Sequence, residues 1–105
     1  MMKSAQVVKA LSALAQPTRL ALYRLLVARG PEGMAAGQAA EKLKISPATL
    51  SFHFKTLSHA GLITGKQEGR FIYYAVNFTV MNNMVAYLTE NCCGGNSEIC
   101  APGKK

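Results

Sequence analysis

The spacing of hydrophobic residues changes twice along this chain, and those changes constrain the fold more than any other feature. Up to Gly61 the apolar side chains recur every three or four residues, as on one face of a helix. β-Branched and aromatic residues then form two short runs, 62–64 and 71–76, with Glu68-Gly69 between them as a turn. Helical spacing returns from Phe78. The pattern predicts four helices, a β-hairpin and a final helix.

Proline and glycine mark where the predicted helices begin and end. Pro17 and Pro47 suit the first position of a helix, where a missing N–H costs nothing, and Ser46 provides a hydroxyl N-cap before Pro47. The predicted helices cover about residues 2–15, 17–29, 36–44, 47–60 and 78–91. The residues predicted to face inward are Val7, Val8, Leu11 and Leu14 in the first helix, Leu22, Leu25 and Leu26 in the second, Ala39, Ala40 and Leu43 in the third, and Leu50, Phe54 and Leu57 in the fourth. The residues assigned to a core or a dimer interface in the last helix are Val80 or Met81, Met84, Val85 and Leu88.

Length, charge and apolar content limit the class of protein. The chain has 105 residues, half of them hydrophobic, which is enough for one domain with a modest core. A net charge of +7, from 12 Lys and Arg against 5 acidic residues, favours a polyanionic partner such as nucleic acid. We expect residues 1–91 to form a DNA-binding and dimerisation domain and residues 92–105 to form a flexible tail that contains all 3 cysteines.

Several classes of protein are disfavoured by what the sequence lacks. No apolar run approaches the roughly 18 residues of a membrane span, and the N-terminal residues lack the continuous apolar core of an export signal. We therefore expect a cytoplasmic protein without a membrane partner, in a compartment that keeps thiols reduced. The sequence also lacks a Cys-x-x-Cys motif, a paired acid and base and a phosphate-binding loop, so neither an enzyme nor an organic cofactor is predicted.

The third and fourth predicted helices have the length and spacing of a helix-turn-helix, with Lys44-Ile45-Ser46 between them. The hairpin that follows has the position of a wing, so the predicted fold is mainly α, a winged helix-turn-helix of order α-α-α-α-β-β-α. Short hydroxyls, an aromatic ring and a lysine on the exposed side of the fourth helix suit the major groove of DNA, and two cations flank the wing turn. For His53, packing is the alternative to a phosphate contact, and His59 receives no role. The predicted DNA contacts are Gln38, Ser46, Pro47, Thr49, Ser51, Phe52, His53, Lys55, Lys66 and Arg70.

Four stretches of the chain resemble the ArsR/SmtB family of metal-responsive repressors. The resemblance implies a homodimer that pairs through its first and last helices, binds double-stranded operator DNA and is released by an inducer. Gln16 departs from the family, in which Asp commonly precedes the proline, and a weaker helix cap is expected. The four stretches lie in the family's order within residues 5–90, and they are Leu14-Ala15-Gln16-Pro17-Thr18-Arg19-Leu20, residues 46–57 (SPATLSFHFKTL), Ala60-Gly61-Leu62-Ile63 and Gly69-Arg70-Phe71-Ile72-Tyr73-Tyr74.

The two usual inducer sites of this family are missing from the sequence. Ala35, Ala36 and Gly37 stand where the best-known arsenic sensors carry a cysteine cluster in the third helix. Asn82 and Asn83 stand in the last helix, where the zinc-sensing members carry His and Asp ligands. The resemblance in fold therefore does not by itself identify the inducer.

Cysteines occur only in the tail, at positions 92, 93 and 100. Soft thiolates select soft metals and metalloids, and three sulfurs without a fourth ligand suit trigonal As(III) or Sb(III) better than structural zinc. The tail also resembles that of family members that sense arsenite through a C-terminal Cys-Cys pair and a later Cys. We therefore predict that As(III) binds Cys92, Cys93 and Cys100 and relieves repression of an arsenic-resistance operon.

Three alternatives stay open at this stage. Other members of the family use only the C-terminal pair and respond to methylated trivalent arsenic, in which case Cys100 is not a ligand. A redox-sensing tail on the same DNA-binding fold would respond to peroxide instead of arsenite. A metal-buffering protein would show no sequence-specific binding to DNA.

Overall fold

Five helices and three strands lie in the part of the chain that the computed structural model describes, residues 2–91 and Gly94. The helices are α1 (Ser4–Leu14), α2 (Pro17–Arg29), α3 (Ala36–Leu43), α4 (Pro47–His59) and α5 (Phe78–Thr89). The strands are β1 (Met34–Ala35), β2 (Ile63–Glu68) and β3 (Phe71–Val76). The order confirms the predicted winged helix-turn-helix and adds β1, which at 2 residues is too short to leave an alternating pattern in the sequence. No helix in these residues is long and apolar enough to cross a membrane.

The three strands form one antiparallel sheet in the order β1-β3-β2. The pairing of β2 with β3 continues to Glu68 opposite Phe71, which leaves Gly69-Arg70 as the loop. The turn predicted at Glu68-Gly69 is therefore wrong by one residue, because Glu68 still belongs to the strand and Gly69 takes a φ of 64° at the first loop position. Gly33 lets β1 approach β3, since a Cβ there would lie 2.5 Å from the carbonyl oxygen of Tyr74.

Local capping interactions fix the starts of α2 and α4. Pro17 and Pro47 occupy the first turn of these helices, as predicted. The Oγ of Ser46 accepts a hydrogen bond from the backbone N–H of Thr49 at 3.2 Å, which confirms the predicted N-cap of α4. The side chain of Gln16 accepts from the N–H of Arg19 at 2.8 Å, so α2 keeps a side-chain cap although the expected Asp is absent.

The inward face of α1 differs from the prediction. Its buried residues are Val7, Ala10 and Ala13, whereas Val8 is 59% and Leu11 39% exposed. Small alanine side chains let α1 lie close to α2 and α4, and the larger side chains turn outward. Val7 is buried and Leu14 is half-buried against the core, so the predicted face overlaps the observed one but is displaced toward the larger side chains, to which hydrophobic periodicity gives weight.

The other helices match their predicted faces in different degrees. In α5 the predicted stripe is covered over its first part only: Met84 is buried and Val80 and Met81 are half-buried against the core, whereas Val85 and Leu88 are exposed. Leu25 and Leu43 are half-buried. The predicted residues that are fully buried in α2, α3 and α4 are Leu22, Leu26, Ala39, Ala40, Leu50, Phe54 and Leu57.

The core reaches the wing through an aromatic pair. The rings of Phe54 in α4 and Tyr74 in β3 stack with centroids 4.0 Å apart and planes inclined by 13°. Phe54 is 2% exposed, and Leu50 and Leu57 on the same face are equally inaccessible. This contact fixes the orientation of α4 relative to the β2–β3 hairpin.

Replacing Phe54 by Ala should lower the free energy of unfolding by about 3–5 kcal/mol, because a large buried side chain is lost and a cavity remains. Phe52→Ala is the matched control in the same helix. Phe52 is 63% exposed, and its replacement should change the free energy by less than about 0.5 kcal/mol. Urea unfolding followed by circular dichroism measures both variants, and equal losses would contradict the burial of Phe54.

Candidate nucleic-acid interface

The structure brings nine of the ten predicted DNA contacts to the surface. They come from α3, the turn after it, α4 and the wing, which are consecutive in the chain. The exposed residues are Gln38, Ser46, Pro47, Thr49, Ser51, Phe52, Lys55, Lys66 and Arg70. His53 is the exception, at 8% exposure.

The outer face of α4 is centred on Phe52. At 100° per residue, Phe52 lies about 160° from Leu50 and from Phe54, so it points away from the core. Thr49 and Lys55 flank it at three residues on either side, and α4 contains no acidic side chain. This face offers a hydroxyl, an aromatic ring and a cation, which together suit base edges and phosphates in the major groove.

Hydrogen bonds between Ser46 and Thr49 orient the two hydroxyl groups at the start of α4. The Ser46 hydroxyl donates to Thr49 Oγ1 at 3.0 Å while it accepts from the Thr49 N–H. The Thr49 hydroxyl therefore keeps its own proton for a base acceptor. Lys44, which the sequence reasoning did not select, lies exposed in the turn with a left-handed φ of 56° and adds a cation beside these hydroxyls.

The two predicted cations of the wing, Lys66 and Arg70, differ in whether a carboxylate lies near them. Lys66 Nζ lies 3.5 Å from Glu68 Oε2, and both side chains are well exposed, so solvent weakens this pair. Arg70 occupies the second position of the exposed loop, and no carboxylate lies within ion-pair distance of it in the described chain. Arg70 is therefore the wing residue better disposed for a phosphate or the minor groove.

His53 lies behind the outer face and contacts α2. Its Nδ1 is 3.3 Å from a guanidinium nitrogen of Arg19, and Arg19 Nε donates to the carbonyl oxygen of Ala13 at 2.7 Å. The Phe52 ring meets the His53 ring edge-on, with centroids 5.6 Å apart. Of the two roles left open for His53, the burial supports packing, because a phosphate has little access to a side chain in this position.

Arg19 was missed as a functional residue by reasoning from the sequence. It lies 34 positions before His53, and nothing in the spacing connects the two. Its location in the Leu14–Leu20 stretch, one of the four that resemble the family, is the one signal that points to it.

The predicted inducer site cannot be placed in the same way. Cys92, Cys93 and Cys100 lie outside the described residues. Within residues 2–91 and Gly94, no group of three His, Cys, Asp or Glu side chains is arranged to hold a metal ion.

Comparisons with known proteins agree with the geometry. A family model described as a helix-turn-helix domain matches residues 14–66. The transcriptional repressor SdpR of Bacillus subtilis is 32% identical over 87 residues, which cover 83% of this chain and 93% of the relative.

Two solved structures have the same fold. A possible transcriptional regulator for arsenical resistance is 30% identical, with a TM-score of 0.66 over 76% of this chain and 80% of the other. A homodimeric winged helix-turn-helix domain from Mycobacterium bovis, described as a possible ArsR-family regulator, is 26% identical, with a TM-score of 0.68 over 85% of this chain and 82% of the other.

The fold and the exposed helix-turn-helix define a winged-helix DNA-binding protein. The chain belongs to the ArsR family of winged-helix transcriptional regulators. Its relatives are transcriptional regulators and not enzymes, which confirms the class predicted from the sequence.

The environment of His53 predicts a loss of stability in acid. Burial, and next the charge of Arg19, lower the pKa of His53 below its ordinary value of about 6.5. The unfolded chain therefore binds the proton more readily than the folded one, so stability is complete above the unfolded pKa and falls as the pH drops toward the folded pKa. Urea unfolding between about pH 7.5 and pH 5 should show this slope.

His53→Gln should flatten that slope, since glutamine keeps an acceptor for Arg19 but does not take up a proton. His59→Gln is the control, because His59 is exposed. A slope that is unchanged in His53→Gln, or that disappears in His59→Gln, would assign the acid sensitivity to other groups.

Proposed function

We propose that this protein is a homodimeric transcriptional repressor that binds operator DNA and leaves it when trivalent arsenic or antimony binds its C-terminal cysteines. The single observation that carries the DNA-binding part is the outer face of α4, where Thr49, Phe52 and Lys55 are exposed on a helix without acidic side chains. The net charge of +7 adds the long-range attraction that a polyanion requires.

In this proposal α4 enters the major groove, with the wing beside it. Thr49, Ser51 and Phe52 meet base edges, and Lys55 and Arg70 meet phosphates. A two-fold dimer would present two copies of α4 about 34 Å apart, one turn of DNA, on a palindromic operator.

The exposure of apolar residues on α1 and α5 supports the homodimer. Leu88 is 57% and Val85 51% exposed on α5, and Val8 is 59% exposed on α1. Within its own protomer α5 buries Met84 and partly buries Phe78, Val80 and Met81, which lie toward its start. The apolar side chains exposed toward its end form a surface that a second copy would cover. The homodimeric state of the Mycobacterium bovis relative supports the same assembly.

Leu88→Glu should therefore shift the protein from dimer to monomer, because a charge would be placed in the apolar contact. Phe71→Glu in the wing is the control, since Phe71 has the same 57% exposure but lies outside α1 and α5. Sedimentation equilibrium gives both masses. A dimer in Leu88→Glu, or a monomer in Phe71→Glu, would contradict the proposed interface.

Trivalent arsenic is the proposed inducer because every cysteine of the chain follows α5 in the sequence. That helix ends at Thr89, Cys92 and Cys93 stand three and four positions later in the sequence, and Cys100 completes three soft thiolates. A ligand that gathers these thiolates at the end of α5 would alter the helix that we assign to the dimer interface. The relative described as a possible regulator for arsenical resistance supports this inducer.

Arsenite should weaken the binding of the reduced protein to DNA by about 5–150-fold, the usual range of allosteric coupling. The DNA is a duplex enriched from a random library by in vitro selection, and fluorescence anisotropy measures its affinity. Cys92→Ser and Cys93→Ser should bind this DNA as the wild type does but should not release it with arsenite. Unchanged affinity of the wild type in arsenite would refute the proposed inducer.

Cys100→Ser separates the remaining alternatives. Loss of the arsenite response in this variant supports a three-sulfur site, measured in parallel by thiolate–arsenic absorbance. A response retained by Cys100→Ser, and stronger with methylated trivalent arsenic, would replace that site with a two-sulfur one. Release by peroxide but not by arsenite would make the tail a redox sensor.

A further inference from the structure

Phe52 is the most exposed large hydrophobic side chain of the described residues, at 63%. It lies in the middle of α4 and points away from the core, as the angles to Leu50 and Phe54 show. Its neighbours on this face, three and four residues away, are Ala48, Thr49, Lys55 and Thr56, of which Ala48 alone is apolar and contributes one methyl group. An isolated aromatic ring between a hydroxyl and a cation does not form the wide apolar patch that a protein partner or a second protomer would cover.

One aromatic contact, with His53, restricts the Phe52 ring on the side toward the core. The edge-on contact with His53, at 66° between planes, supports one side of the ring. His53 is itself held by Arg19, and Arg19 is anchored on the carbonyl oxygen of Ala13. A ring that is already oriented loses less conformational entropy on binding than a free one.

The chemistry of the major groove limits what such a ring can recognise. Each base edge there presents hydrogen-bond donors or acceptors, which a phenyl ring does not satisfy, and thymine alone adds an apolar group, its 5-methyl. Insertion of aromatic wedges between bases is a feature of minor-groove binding, whereas α4 is a helix of a size that enters the major groove.

We infer that Phe52 reads the 5-methyl group of thymine in the operator, with His53 and Arg19 as positioning residues for its ring. The inference rests on the proposed DNA-binding function and specifies which base that function recognises. Burial of one methyl group against the ring corresponds to about a fourfold change in affinity.

Two parallel in vitro selections test this inference for an operator of any sequence. One random duplex library is amplified with thymidine triphosphate, and the other with deoxyuridine triphosphate, which removes every 5-methyl group and leaves base pairing intact. The best thymine-containing duplex is then remade with uracil at single positions. Wild-type affinity should fall about fourfold at each methyl that Phe52 contacts and stay constant at the others.

Two variants test whether Phe52 and His53 cause the loss of affinity that follows replacement of thymine by uracil. Phe52→Ala should abolish the thymine-to-uracil difference at those positions. His53→Gln should reduce the difference while the affinity for the uracil duplex stays near the wild-type value, a result that general destabilisation would not produce. Leu20→Ala, which removes an exposed leucine of α2, is the control and should keep the full difference.

The outcomes separate this inference from the function on which it rests. If neither library yields a specific duplex, the proposed DNA-binding function fails. If a specific duplex binds equally well with thymine or uracil, the function stands and methyl recognition is overturned. If the difference persists in Phe52→Ala, another residue reads the methyl group.

Discussion

Burial of one face of α4 is the constraint on which both the fold and the proposed function depend. Leu50, Phe54 and Leu57 tie this helix to the core, and the stack of Phe54 on Tyr74 ties it to the wing. Because the helix is fixed from one side, its opposite face is presented at a set angle to the hairpin.

Local signals made most of this arrangement predictable from the sequence. The N-cap at Ser46, the proline that follows it and the apolar spacing of α4 all act within one or two turns, and the structure confirms them. The inward face of α1 was predicted only in part: Val7 and Leu14 were identified, but Ala10 and Ala13 were not, because they are buried through close helix packing and not through their own hydrophobicity. Strand β1 was not predicted either, since it depends on pairing with β3, which is distant in sequence.

In the candidate DNA-binding site too, features set by local sequence were predictable and contacts between distant residues were not. Exposed positions on α4 and in the wing follow from helical and strand periodicity, so nine of the ten predicted contacts lie on the surface. The contact between His53 and Arg19 joins residues from two helices, and the residue spacing within each helix does not predict it. The proposed inducer site would use cysteines outside the described residues, and its prediction rests on their number, their spacing and a family resemblance.

Among the described residues, β1 and β2 form the two edges of the sheet, and both are poorly suited to pairing with another strand. β1 is 2 residues long, and β2 carries the exposed charges of Lys66 and Glu68 along its outer edge. Short or charged edge strands discourage the sheet-to-sheet addition that leads to aggregation. A hairpin that projects toward DNA can therefore stay uncovered in the free protein, and self-association is left to the helical surfaces.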